Sequence, residues 1–271
     1  MATRTAIINV MARTCYKASK SLLRDFGEVE QLQASRKGPK DFAITANSAS
    51  QKKISEELAY ARPDYGLIVK HAKSTESNDP KNRKWIVDPL NGITNFLHGI
   101  PHWSISIGLE EEGELVAGAI YDPTRDELFW AEKGLGAFLN DSRIRISERR
   151  DLVNCLIATE VHSEAINADG HNDYIAEIGN ASGAIRDLGS TSLDLAYIAA
   201  GRLDGFWHPQ ILPWEMAAGI IIVKEAGGYI TDLTGGIKMS YKTEILAANA
   251  RIHHRLLRLT KAITDEKKSR L

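Results

Sequence analysis

Residues 85–96 read WIVDPLNGITNF: an apolar run meets an acid, then a proline, then a glycine. Proline fixes the bend and glycine permits a tight turn. Asp88, the Leu90 carbonyl and Asn91 are thereby expected to converge on one point. The N–H groups of the turn through Gly92, Ile93 and Thr94 should face an anion there. The same residues also read as a plain strand-to-helix turn capped by Asp88, and spacing alone does not separate the two.

The elements that would position these residues follow from hydrophobic periodicity. Apolar positions between about residues 4 and 30 suit an amphipathic helix. A polar loop is expected over Ser35–Lys40, and a second helix over about 47–61 with Asn47 or Ser48 as its N-cap. Short apolar runs follow at Leu67–Val69, Trp85–Val87, Ser104–Leu109, Val116–Tyr121 and Glu127–Trp130, with a bent hairpin over Gly134–Ile146. They predict a mostly antiparallel sheet. Beyond it, strands at Leu156–Ala158, Phe206–Trp207, Tyr229–Thr231 and Ile245–Ala248 alternate with helices. Those helices are expected around Tyr174–Ile178, over Ser192–Ala200 ended by Gly201, over Trp214–Ala226, and over Ile252–Ile263. This order argues for a layered α/β architecture.

At 271 residues the chain is large for one domain, and its formal charge of -1 favours neither nucleic acid nor membrane. No nucleic-acid-binding motif stands out, and no segment has the ~20 apolar residues that would span a bilayer. Cys15 and Cys155 sit in apolar company, as expected for reduced core thiols of a cytoplasmic protein. Trp103, Trp130 and Trp207 read as packing residues. Arg186 and Arg202 could contact an anion or a neighbouring subunit. His208 reads either as a strand-end surface residue or as a partner for a sugar hydroxyl or phosphate.

The 85–96 stretch resembles the inositol monophosphatase family, whose signature is W-(I/V)-(I/V)-D-P-(I/L)-D-G-T-x-N-F. The family's W-D-x-A-A-G and following E-A-G-G resemble Trp214–Gly219 and Glu225–Gly228. Gly189-Ser190-Thr191-Ser192-Leu193-Asp194 and Gly201–Phe206 are similar to its substrate-side helix and next turn. The likeness runs through nearly the whole chain in one order, and is strongest toward a bacterial extragenic-suppressor branch. It implies an α-β-α-β-α sandwich as a single unit over 1–271, with halves of about 1–150 and 151–271, and a homodimer. It also implies Mg²⁺-dependent hydrolysis of myo-inositol monophosphate or a related sugar phosphate, with a metal-activated water attacking phosphorus.

The resemblance makes Asp88, the Leu90 carbonyl and Glu215 retained metal positions, Glu215 standing where the family has Asp. Lys70 and Asn91 are replaced ones, for a turn glutamate and the second motif aspartate. Ile93 and Asn47 stand where a threonine and an upstream aspartate would orient the attacking water, with Asp41 as a surviving partner. Gly92, Thr94, Gly189, Ser190 and Thr191 fall at substrate positions, as does His208 in place of a hydroxyl-binding glutamate. Where five family acids would carry -5, residues 47, 70, 88, 91 and 215 carry -1. Mg²⁺ binding is therefore expected to be weak or absent and hydrolysis impaired. The bacterial branch implies an alternative, a non-enzymatic factor contacting RNA polymerase and Nus factors in ribosomal-RNA transcription. A third option is an anion-binding module using the Gly92–Asn95 turn.

Overall fold

A computed structural model describes residues 3–32, 39–70, 73–161, 171–239 and 242–270. Helices α1 (Ala6–Leu32) and α2 (Pro39–Ala61) lead into a seven-stranded sheet. Its strands are β1 (Gly66–Val69), β2 (Lys84–Asn91), β3 (Ser104–Glu111), β4 (Glu114–Asp122), β5 (Glu127–Glu132), β6 (Gly136–Leu139) and β7 (Ser142–Ile144), in that spatial order. Within this sheet, among the described residues, only β1 and β2 pair in parallel. The short helix α3 (Ile93–Leu97) follows β2. Strands β8 (Leu156–Ala158), β9 (Ala184–Arg186), β10 (Gly205–His208), β11 (Tyr229–Thr231) and β12 (Ile245–Ala248) form a second sheet ordered β11-β12-β10-β8-β9. Helices α4 (His171–Ala181), α5 (Thr191–Ala199), α6 (Pro213–Glu225) and α7 (Ala250–Arg270) complete the fold.

Period-two alternation divides the apolar side chains among three cores. Trp85, Val87, Ile107 and Trp130 face α1 and α2. Ile120, Phe129, Phe206 and Ala247 enclose the apolar helices α5 and α6 between the two sheets. Trp207 and Leu246, one residue out of phase, face α4 and α7 on the far side. The result is the expected five-layer α-β-α-β-α sandwich. Helix α6 lies close against the large sheet because Gly108 and Gly118 present no side chain: a Cβ on Gly118 would lie 2.7 Å from Ile221 Cγ2 and 2.8 Å from the Ala218 backbone.

Two sequence expectations need correction. The second helix begins at Pro39, so Asn47 and Ser48 lie inside it and cap nothing; proline at the first helical position was the better signal. Of the expected 35–40 loop, Pro39 and Lys40 are helical and the rest lies outside the described residues. Cys15 and Cys155 are free and buried, and burial pushes the Cys155 thiol up to about 11. No helix among the described residues is long and apolar enough to cross a membrane.

Candidate functional site

Asp88 is fully buried on β2, at an irregularity in the pairing with β3. Asp88 pairs with Ser106 and Asn91 with Ser104, so β2 spends three steps where β3 spends two. This β-bulge reverses the alternation: Leu90 turns into the core beneath α1 and α2, while Asp88 and Asn91 come to the same side. Pro89 sits within the bulge, where its missing donor costs the ladder least, and its carbonyl accepts the Ser50 hydroxyl at 2.9 Å.

Lys70 follows β1 directly. Its N–H donates to the Val87 carbonyl at 3.3 Å, carrying the parallel pairing one residue further and bringing Lys70 alongside Asp88. The ammonium lies 3.3 Å from Asp88 Oδ2 and 3.7 Å from Glu215 Oε1, with only 13% of the side chain exposed. Burial works against this cation, but Asp88 and then Glu215 outweigh it and hold its pKa above the ordinary lysine value.

Glu215 reaches the cluster from the first turn of α6, which Pro213 opens at a favourable position. Its Oε2 accepts the Leu212 N–H at 3.0 Å, leaving Oε1 toward Lys70. Burial raises the Glu215 pKa, partly offset by Lys70 and the Leu212 N–H, with Asp88 and Glu160 adding to the rise. The Ser192 hydroxyl donates to the Glu215 carbonyl at 2.8 Å, which ties α5 to α6.

Asn91 is held from both ends. Its Oδ1 accepts the Ser190 hydroxyl at 2.7 Å and the Ser192 N–H at 3.1 Å, and its Nδ2 donates to Asp88 Oδ2 at 3.0 Å. The Leu90 N–H donates to the other Asp88 oxygen at 3.2 Å. Asp88 thus receives an ammonium, an amide and a backbone N–H. Among the described residues, no group of three or more acidic, histidine or cysteine side chains could hold a metal ion. Mg²⁺ requires oxygen lone pairs in near-octahedral array, and on Asp88 N–H donors already meet both oxygens.

Lys70, Asp88, Asn91, Ser190 and Glu215 are therefore brought together. Gly92 takes a left-handed conformation at φ 88° that admits the turn into α3. Ile93 packs against the core beneath α1 and α2, and Thr94 is exposed. Asn95 Nδ2 spans two carbonyls, His102 at 2.8 Å and Leu188 at 2.7 Å. It thereby clamps this turn to the one at Gly189, itself at φ 73°. Asn47 is buried in α2, one turn before Ser50, and its Oδ1 has no hydrogen-bond partner among the described residues. The Asp41 side chain and His71 lie outside the described residues.

His208 is not a surface residue: it is 3% exposed at the end of β10, and its Nδ1 accepts the Gln210 N–H at 3.0 Å. Arg202 grips Glu127 and lies over the Tyr197 ring at 4.9 Å, and the Arg186 guanidinium donates to its neighbour's carbonyl. Trp103, Trp130 and Trp207 are core residues as expected. Sequence reasoning missed Glu160, which accepts the Thr191 hydroxyl and whose charge acts on both Lys70 and Glu215. Its position just past the carboxyl end of β8 was the available signal.

Residues 4–265 match the inositol monophosphatase family. An inositol-1-monophosphatase of Rhizobium meliloti is 46% identical over 252 residues, covering 92% of this chain and 94% of that one. The Nus factor SuhB of Escherichia coli K12 is 35% identical over 247 residues, covering 91% and 92%. The native crystal structure of extragenic suppressor protein suhB from Bartonella henselae superposes with a TM-score of 0.85 at 45% identity, covering 95% of this chain and 99% of that one.

Proposed function

The chain belongs to the inositol monophosphatase family, and from that premise we propose that it keeps the phosphatase scaffold while its Mg²⁺-dependent hydrolysis of myo-inositol monophosphate or a similar sugar phosphate is weak or absent. One observation carries this reading. Asp88, the buried acid of the family signature, already accepts hydrogen bonds from Lys70 Nζ and Asn91 Nδ2 on a single oxygen. A divalent ion would have to displace both donors and approach an ammonium, at a cost Coulomb's law makes large in a buried site. The residues of this pocket hold and orient one another, and the water-positioning threonine of the family is an apolar Ile93.

The test is a phosphatase assay on myo-inositol 1-phosphate over a Mg²⁺ series. The loss of positioned electrostatic groups is expected to leave turnover at least ~10²-fold below that of a relative with all five acids. Turnover of ordinary family size, rising with Mg²⁺, would defeat the reading.

A second reading is favoured by the likeness to the Nus factor SuhB of Escherichia coli. On this reading the chain is a non-enzymatic cytoplasmic factor that contacts RNA polymerase or Nus factors, as a homodimer, and the closed pocket is a structural remnant. Affinity capture from cells of the source organism checks it: RNA polymerase subunits retained at physiological salt support it, and their absence counts against it.

A further inference from the structure

We infer that Lys70 and Asn91 act as one unit, a built-in replacement for a divalent cation that keeps Asp88 and Glu215 together without any metal. The inference rests on the proposed loss of the metals and goes further, because it says what replaced them and how the replacements depend on each other.

The geometry supplies the argument. Two acids, Asp88 and Glu215, come into one pocket from different layers, one on the bulge of β2 and the other at the start of α6. Asp88 is fully buried and Glu215 is 18% exposed by side chain. Bare carboxylates so placed repel each other and lose hydration. The Lys70 ammonium stands between them, at 3.3 Å from one and 3.7 Å from the other. It enters along β1, an element separate from both.

Asn91 supplies the second half. Two donors, the Ser190 hydroxyl and the Ser192 N–H, point at its Oδ1 and so fix which end of the amide is oxygen. The NH₂ end must then face Asp88 Oδ2, at 3.0 Å. A carboxylate at position 91 would keep both serine contacts but set an oxygen where that NH₂ now lies, against a charged oxygen of Asp88. Lys70 and Asn91 therefore meet on the same Asp88 oxygen. Restoring an acid at either position alone adds a carboxylate with too little positive charge beside it. Restoring both leaves four carboxylates, at positions 70, 88, 91 and 215, in the field of Glu160 and with no ammonium, a set that only an external cation can hold.

Thermal unfolding, measured in EDTA and again in millimolar MgCl₂, tests this without reference to activity. The native protein is expected to unfold at the same temperature in both buffers. Lys70→Met, which keeps an unbranched stem one atom shorter and removes the charge, should lower the midpoint by several degrees in EDTA and recover part of the loss in Mg²⁺. Lys70→Arg keeps a cation and should stay indifferent to Mg²⁺, so a general packing defect at position 70 is recognisable. Lys70→Glu and Asn91→Asp singly should each be less stable than native. The double variant should be the least stable in EDTA and show the largest Mg²⁺ gain of all.

Identical midpoints in Mg²⁺ and EDTA for both Lys70→Met and the double variant overturn the inference, as does a double variant that stays unfolded in either buffer. The outcome is separable from the proposed function. Mg²⁺-driven turnover by the native protein would sink that reading, whereas inert native protein with Mg²⁺-indifferent variants would sink only this one.

Discussion

Asn95 shows how much one side chain can settle. It is 8% exposed, and its amide nitrogen satisfies the carbonyls of His102 and Leu188 together. Those carbonyls belong to the approach to β3 and to the loop before α5, so a single NH₂ group registers the two halves of the pocket wall. Asn95→Leu would leave the buried His102 carbonyl and the part-buried Leu188 carbonyl without this donor, and each unsatisfied buried group costs about 1–3 kcal/mol. Urea unfolding of this variant is expected to show a loss of about 2–4 kcal/mol; a loss below ~0.5 kcal/mol would mean that water or the main chain replaces the clamp. The residue was visible in the sequence only as part of a motif. Its role was not, because the two carbonyls lie 86 positions apart in the chain. His208 was hidden for a similar reason: a strand end looks exposed until the helix packed on β10, α5, is known. Lys70 could be identified as a misfit in sequence, but its direction depends on the β1–β2 register, which no local pattern states.

Among the elements, α6 links packing to chemistry. Its apolar character is nearly uniform, since it is covered by the large sheet on one side and by α5 on the other, and so it was legible as a buried helix. How deeply it sits was not legible, because that depth is set by glycines on β3 and β4. A Cβ at Gly108 would meet Ala217 Cβ at 2.9 Å, and one at Gly118 would meet the helix backbone itself. Gly118→Ala is therefore expected to push α6 outward, at a cost of about 1–3 kcal/mol for overpacking. In a protein of this size that lowers the melting temperature by several degrees. The shift should loosen Glu215 from Lys70 as well. A melting temperature within about a degree of native would show that the sheet, rather than the helix, yields. The α2 boundary went unread for the opposite reason: its amphipathic signal is weak, and polar Asn47 and Ser48 imitate a cap in the middle of a helix.

At the scale of the whole molecule, the layers bury ionisable groups that set its response to acid, and these groups act in opposite directions. His253 lies in the outer core between α7 and β11, with Nε2 at 3.0 Å from the Thr231 hydroxyl. Burial lowers its pKa from 6.5 to about 4, assisted by His254. Between those values the unfolded chain binds a proton that the folded chain does not. This contribution to stability is complete above pH 6.5 and is lost as the pH falls toward 4. Asp194, fully buried in α5 with neither oxygen hydrogen-bonded among the described residues, behaves inversely. Burial first, then the charges of Glu160 and Asp187, raise its pKa well above 3.8. The folded chain keeps a proton that the unfolded chain releases, so the contribution of Asp194 is present below pH 3.8 and is lost as the pH rises. The native curve between pH 4 and 6.5 is thus a partial cancellation, and only differences reveal the parts. Urea unfolding across this window should show the advantage of native protein over His253→Gln shrinking as the pH falls, by up to about 1.4 kcal/mol per pH unit. The advantage over Asp194→Asn should instead grow as the pH falls. Parallel curves for either variant would mean that the side chain titrates identically folded and unfolded, and that the layer covering it is open to water.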